Sequence, residues 1–345
     1  MIQFHEIQIQ QCIVHKVGNK CEDGGCSLSN VLVNVDEKMH RVLENYFIKS
    51  FINNEQYWQF SHISDIELNE VYSYVLSMFQ GEKGFIDVSW KIASYLYECT
   101  THPNVKSGDL YVVYIKECIL DSEKCDAVGV FKSENLDTFI KVTNIADGYD
   151  VEAHQGININ KLDKGCLIFN TKKDEGYVVA VVDNTNRSDA KYWVEDFLGV
   201  KPRQDKYFQT QNFMSVCKSF VTKQLPSEFE VSKADQADML NRSVQYFKEN
   251  DEFSIQDFAE TVLEHPEVIE SFQSYKERYQ TERDIEIDDS FAISNDAVKK
   301  QARSFKSVIK LDKNFHIYVH GNRSLIEQGE DEKGRYYKVY YNEES

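Results

Sequence analysis

A chain of 345 residues with 41% hydrophobic residues and four prolines is too long for one compact core and too apolar for extended disorder. No stretch approaches the roughly 20 apolar residues that span a bilayer, and the first residues lack the basic and apolar regions of a signal peptide. With a formal net charge of −18, the composition favours a soluble, cytoplasmic, acidic protein of two or three domains.

The first hundred residues predict short strands followed by three helices. Alternating apolar and polar residues indicate strands up to residue 33. Helical patterns then cover 36–51, 65–80 and 88–100, and Ser64 with Glu67 forms a capping box before the second of them.

The middle of the chain predicts a mostly antiparallel sheet. Five strand candidates lie between 109 and 183, namely DLYVVYIKEC, KCDAVGVFKSE, DTFIKV, GCLIFN and GYVVAVVD. Turns at hairpin distance join two antiparallel pairs among them, and residues 143–164 are expected to form an excursion between the two hairpins. The three helices cover this sheet.

From Asp189 onwards helices dominate. AKYWVEDFLG ends on Gly199, a residue suited to a helix C-terminus, and helical runs follow over 208–223, 233–249, 255–263 and 266–279. The predicted fold class is α+β. Residues 1–186 form a domain with a mostly antiparallel sheet covered by helices, and residues 187–345 form a mostly helical domain that ends in a basic helix and a β-hairpin.

The basic helix is the feature of the sequence with most functional content. Between 290 and 325 there are seven Lys/Arg and two Asp/Glu. A helix predicted over 297–310, capped by Asn295 or Asp296, carries two adjacent stripes. The apolar stripe is Val298, Ala302, Phe305 and Ile309, and the basic stripe is Lys299, Arg303, Lys306 and Lys310. FHIYVHG and YYKVYY follow as a hairpin. This pattern fits a nucleic-acid contact, and it also fits a solvated face of a core-packed helix.

No motif for catalysis or metal binding stands out. Glycine-rich phosphate loops, GxSxG, HExxH and HRD patterns are absent from the sequence. CEDGGC at 21–26, with His15 upstream, lacks the second ligand pair of a zinc site and is interpreted as a loop. We therefore expect no enzyme activity, no metal, no cofactor and reduced cysteines.

Read from end to end, the chain resembles the bacterial 37-kDa nucleoid-associated protein family, the NdpA-like proteins. The matching features are IQIQQCIVHKVG, GDLYVVYIKEC…KCDAVGVFKS, GCLIFN…GYVVAVVD, AKYWVEDFLGV and VKKQARSFKSVIKLDKNFHIYVHGNRSLIEQGEDEKGRYYKVYY. The resemblance implies a non-enzymatic protein associated with double-stranded DNA in the bacterial nucleoid, and it supplies no catalytic residues.

With that resemblance, the residues expected to contact phosphates are Lys299, Lys300, Arg303, Lys306, Lys310, Lys313 and Arg323. A second basic set is Arg187, Lys191, Lys201, Arg203, Lys206, Lys218 and Lys223. The alternative is an acidic protein-interaction module, since residues 225–289 hold six basic and 18 acidic side chains. Such a module mimics DNA or docks on a chromosome-associated protein.

Overall fold

The computed structural model describes residues 2–3, 7–34, 36–52, 56–120, 123–185, 192–305, 308–311, 315–319, 325–341 and 343. The chain divides into two compact units, unit 1 (1–203) and unit 2 (204–345), each with its own hydrophobic core. The domains predicted from the sequence have the bounds 1–186 and 187–345, and this division stays a prediction.

Unit 1 contains eleven described strands and three α-helices. In chain order they are β1 (Ile2–Gln3), β2 (Gln8–Val17), β3 (Cys26–Ser27), α1 (Glu37–Ile48), β4 (Tyr57–Phe60), α2 (Glu70–Phe79), α3 (Phe85–Cys99), β5 (Gly108–Leu120), β6 (Glu123–Ser133), β7 (Asp137–Ile145), β8 (Gly148–Gly156), β9 (Lys164–Phe169), β10 (Val178–Asp183) and β11 (Val200–Pro202). A π-helical segment, Tyr192–Leu198, precedes β11.

Nine of these strands form one antiparallel sheet. The order is β11-β4-β10-β9-β6-β5-β2-β3, with β1 beside β5. The longest pairing, β5 with β6, runs from Asp109 opposite Ser133 to Leu120 opposite Glu123. Only two residues separate β5 from β6, which favours their antiparallel pairing. The other described ladders of this sheet are also antiparallel, so the antiparallel sheet predicted from the sequence is confirmed.

Helices cover both faces of this sheet. Alternate side chains enter opposite faces, so Val112 belongs to the core beneath α2 and α3, and Val113 belongs to the core beneath α1. On the α1 side, the rings of Phe47 and Phe131 stack with centroids 4.4 Å apart. Because both faces are covered, β9 is buried along its whole length.

One predicted strand lies elsewhere. DTFIKV does not pair with the nine-stranded sheet in the described ladders but forms a separate hairpin, β7–β8, with the residues predicted to be an excursion. A two-residue turn, Ala146–Asp147, closes this hairpin. Every residue of β7 is exposed, so this segment adds nothing to the core.

Unit 2 is helical in its first part and ends in hairpins. Its elements are α4 (Lys206–Ser219), α5 (Leu225–Glu228), α6 (Lys233–Glu249), β12 (Glu252–Ser254), α7 (Ile255–Phe258), α8 (Pro266–Arg283), β13 (Ser290–Ala292), α9 (Asn295–Ala302), β14 (Val308–Leu311), β15 (Phe315–Tyr318), β16 (Ile326–Asp331) and β17 (Gly334–Val339). Phenylalanines dominate its core, where Phe213 lies within 6.4 Å, centroid to centroid, of five other phenylalanine rings.

Two local predictions are wrong in their boundaries. The helix expected over 65–80 begins at Glu70, because the side chain of Asn69 accepts a hydrogen bond from the Tyr72 amide, and Ile66–Leu68 is a separate 3-10 turn. The helix expected over 297–310 ends at Ala302, and 308–311 is strand β14.

The terminal hairpins also pair differently from the prediction. FHIY pairs with VIKL (β14–β15), and GRYYKV pairs with IEQGED (β16–β17). In the second hairpin Gly334 has φ +119°, a backbone conformation that glycine adopts readily, so the tight turn favours the local partner. The α+β fold class itself is confirmed, with a helix-rich second part that ends in α9 and hairpins. Among the described residues, no helix has the length and apolar content needed to cross a membrane.

Candidate nucleic-acid interface

Helix α9 presents its basic residues on the side away from the core. Ser294 caps the helix by accepting a hydrogen bond from the Ala297 amide at 3.3 Å, so the predicted caps, Asn295 and Asp296, lie inside the first turn. Ala297 and Val298 are buried, while Lys299 and Lys300 are exposed. Of the predicted stripes, this shorter helix contains Val298 and Ala302 on the apolar side and Lys299 on the basic side, with Arg303 as its C-cap.

The described cations of α9 differ in their partners. Lys299 Nζ lies 3.1 Å from Asp296 Oδ1, in an exposed pair whose lysine side chain keeps 75% of its accessible surface. Lys300 Nζ lies 5.7 Å from the ring centroid of Tyr207. Arg303 follows as the exposed C-cap residue. Within the described part of the chain, no carboxylate lies within 4 Å of the Lys300 or Arg303 cation.

Lys310 lies on strand β14 and not on the helix. It is exposed and stands opposite His316, while its neighbour Ile309 is buried with Ala234 and Ala237 of α6. Both α9 and β14 pack on α6. Lys310 and the cations of α9 therefore lie on elements with a common packing partner, although Lys310 is not on the helix. Three further predicted contacts, Lys306, Lys313 and Arg323, lie outside the described residues.

The second basic set is less uniform. Arg203 has a mostly covered side chain that pairs with Glu175, and Lys201 and Lys206 are exposed. Lys218 is half-buried and Lys223 is exposed. Arg187 and Lys191 lie outside the described residues. Since its arginine already has a carboxylate partner, this set offers weaker support for a phosphate interface than α9 does.

Acidic side chains are frequent on the surface of unit 2. Of the 18 Asp and Glu residues between 225 and 289, 16 are exposed. Their field opposes the approach of a polyanion, but salt at physiological strength screens exposed charges over roughly 8 Å. A nucleic acid can therefore be held there only through local contacts.

Sequence reasoning missed a buried charged cluster in unit 1. Lys132 and Lys164 stand opposite each other on β6 and β9, both fully buried. Lys132 Nζ lies 3.0 Å from Glu134 Oε1, and Lys164 Nζ lies 2.8 Å from Asp183 Oδ1. The Tyr192 hydroxyl donates to Glu134 Oε1 at 2.9 Å. The only sequence signal was a lysine at one end of each apolar run, AVGVFK and KGCLIF.

Burial changes the pKa values of two members of this cluster, Lys132 and Tyr192. It lowers the pKa of Lys132, against the opposing effect of Glu134, and it raises the pKa of Tyr192, where Glu134 acts in the same direction. Because these donors and acceptors are bonded to one another, the cluster stabilises the fold and leaves few polar atoms for a ligand.

The residues around CEDGGC have individual partners. Cys21 Sγ donates to the Thr101 carbonyl at 2.6 Å, and His15 is buried, with Nε2 3.1 Å from Ser89 Oγ. No group of three or more potential ligand side chains is placed to hold a metal ion in the described ranges. The expectations of no zinc and no disulfide stay predictions.

Comparison with known proteins places the chain in a family. The sequence model of the family described as nucleoid-associated protein YejK matches residues 13–344, nearly the whole chain. No curated protein matches it.

Proposed function

This chain belongs to the family of the nucleoid-associated protein YejK, and on that premise we propose that it is a non-enzymatic protein that associates with bacterial chromosomal DNA through phosphate contacts. The contacts are to double-stranded DNA in the nucleoid of the cytoplasm, with little sequence preference.

The observation that carries this proposal is the exposed cationic side of α9. Lys300 and Arg303 have no carboxylate within 4 Å among the described residues, and the Lys299 pair is exposed enough for a phosphate to replace Asp296. Ammonium and guanidinium groups on a surface helix contact phosphate oxygens irrespective of base sequence. The proposed lack of sequence recognition follows from that chemistry.

The filled sheet of unit 1 supports the non-enzymatic part of the proposal. Apolar cores cover both of its faces, and the buried Lys132–Glu134–Tyr192 contacts are directed inward. Catalytic sites usually combine a cavity with polar groups that remain available to a substrate.

A titration of duplex DNA at several salt concentrations tests the phosphate contacts. The variant replaces Lys299, Lys300, Arg303 and Lys310 with Gln, which removes the charges and keeps an unbranched polar side chain of similar helix propensity. Each lost contact should reduce the slope of log K against log salt by about 0.9. We expect much weaker binding at moderate salt, to a similar degree on unrelated sequences.

The matched control replaces Lys233, Lys248, Arg278 and Lys333 with Gln. All four are exposed in unit 2 and lie outside α9 and β14, so the net charge changes equally. If both variants lose the same affinity and slope, binding depends on overall charge and not on α9. If the α9 variant binds as the unmodified protein does, the basic side is a solvated face.

The exposed acidic surface of 225–289 favours a second candidate function, an adaptor or DNA mimic that docks on a basic chromosomal protein. A mimic does not bind DNA itself and is displaced from its partner by DNA. Co-sedimentation of the protein with DNA alone therefore separates the two functions.

A further inference from the structure

An open cleft of about 810 Å³ runs along the solvent-facing side of α3 in unit 1. Asp87, Trp90, Lys91, Ser94 and Glu98 line it at helical spacing, with Tyr74 from α2 and Lys83 from the turn between the two helices. The opposite side of α3 is buried in the core. The cleft therefore consists of side chains that are not required to cover the sheet.

Two lysines, Lys83 and Lys91, both line this cleft. The positive charge of Lys83 is the chief cause that lowers the pKa of Lys91, while Asp87 and Glu70 act in the opposite direction. Among the described residues, neither lysine has a carboxylate within 4 Å; Glu98, on the rim, pairs with Lys20. An anion between the two amines would relieve their repulsion.

Aromatic rings beside these amines are held in place. Trp90 Nε1 donates to the Ser29 carbonyl at 2.7 Å, and the Tyr95 hydroxyl donates to the Asp196 carbonyl at 3.2 Å. Lys91 Nζ lies 5.5 Å from the ring centroid of Tyr74. Trp90, Tyr95 and Tyr97 are only half-buried, so part of each ring remains accessible. Oriented ring faces are stacking surfaces for a planar heterocycle.

We propose that this cleft binds a nucleoside phosphate, with its phosphate between Lys83 and Lys91 and its base against Trp90. The ligand is either a free nucleotide or one unit of a single-stranded nucleic acid. The volume lies within the range of small-molecule sites, roughly 300–1,000 Å³. The bases of an intact duplex are stacked on one another and cannot reach the ring, so this site is separate in chemistry from the duplex contacts of α9.

The test is a fluorescence titration of the full chain with adenosine monophosphate and, in a second arm, with a short single-stranded deoxyadenosine oligonucleotide. Trp90 is one of three tryptophans and Trp193 is fully buried, so a base stacked on Trp90 should quench part of the emission. Lys83→Gln with Lys91→Gln should weaken binding about tenfold or more, and Lys106→Gln with Lys141→Gln, exposed elsewhere in unit 1, should leave it unchanged.

Equilibrium dialysis is the second readout. Trp90→Phe should retain binding by dialysis and lose the quenching, since a ring remains, whereas Trp90→Ala should weaken binding. Near-ultraviolet circular dichroism verifies that each variant is folded. Binding of both ligands assigns the site to nucleotides in general, and binding of the oligonucleotide alone assigns it to single strands.

Three results would overturn the proposal: no binding of either ligand, equal binding by the double-lysine variant, or equally strong competition by inorganic phosphate. The last would reduce the cleft to an anion site. The α9 variant should bind nucleotides as the unmodified protein does, so failure of this proposal and failure of duplex binding are distinguishable.

Discussion

The buried lysines of β6 and β9 differ from the exposed cations at α9 in their carboxylate partners. Lys132 and Lys164 are fully buried, and each has a carboxylate within 3.0 Å. Lys300 and Arg303 of α9 are exposed, with no carboxylate within 4 Å in the described part of the chain. A buried ammonium requires a counter-charge, whereas an exposed one is already solvated and can exchange water for a ligand.

His15 extends the comparison to a buried base without a carboxylate. Its Nδ1 accepts from the Ser29 amide at 3.1 Å, and its Nε2 lies 3.1 Å from Ser89 Oγ. Burial lowers the pKa of His15 to about 4, so the ring is neutral where the paired lysines carry charge. The polar partners of a buried basic side chain, and not its burial alone, therefore decide whether it is charged in this fold.

The largest expected effect comes from breaking a buried pair. Lys164→Met leaves Asp183 without its ammonium partner, which should lower the free energy of unfolding by about 3–5 kcal/mol. Chemical denaturation measures the change. Lys141→Met, on exposed β7, is the control and should change stability by less than about 0.5 kcal/mol. The double variant Lys164→Met with Asp183→Leu should recover much of the loss; if it does not, the pair contributes through packing and not through charge.

The next effect is the dependence of stability on pH through His15. Between its unfolded pKa of 6.5 and its folded pKa of about 4, the unfolded chain binds a proton that the folded chain does not. Stability should therefore fall by roughly 3 kcal/mol as the pH decreases through this window, and this contribution becomes constant below it. Chemical denaturation at several pH values measures the free energy of unfolding, which should depend less on pH in His15→Gln than in the unmodified protein. Ser89→Ala keeps the imidazole buried and should retain the pH dependence of the unmodified protein. If His15→Gln also retains it, carboxylates and not His15 cause this pH dependence.

The smallest expected effect concerns the stability of the α9 variant. Replacing Lys299, Lys300, Arg303 and Lys310 with Gln should change the unfolding midpoint little, because exposed charges contribute at most about 1 kcal/mol each. Thermal melting beside the matched variant of Lys233, Lys248, Arg278 and Lys333 checks this. A cooperative loss of structure in the α9 variant alone would mean that these cations pair with the acidic residues of unit 2 inside the fold.

The sequence predicted those elements in which the buried side chains follow the local spacing of apolar residues. Helix α6 has the predicted bounds, 233–249, since its capping box and apolar spacing both lie within the helix. Gly199 ends the AKYWVEDFLG segment as expected, with φ +59° and Asn69 so close that an added Cβ would lie 2.6 Å from Nδ2. The antiparallel sheet followed from strand-like runs at hairpin distance.

Long-range pairing decided the rest. Residues 303–310 have a helical apolar spacing, yet Ile309 packs on Ala234 and Ala237 as part of a strand, and α9 ends before it. A spacing of three and four residues cannot indicate which distant surface a side chain meets. For the site, the sequence located the lysines and arginine of α9, but only the tertiary structure showed which of them remain unpaired.

The sequence by itself determined the fold class, the family and the local excess of positive charge, because each depends on residue type and short-range order. The tertiary structure alone decided that Lys132 and Lys164 are internal, that β7–β8 lies off the sheet, and that Lys83, Lys91 and Trp90 line one cleft. Charge–charge distances depend on how elements from different parts of the chain pack together, and residue order does not specify that packing locally.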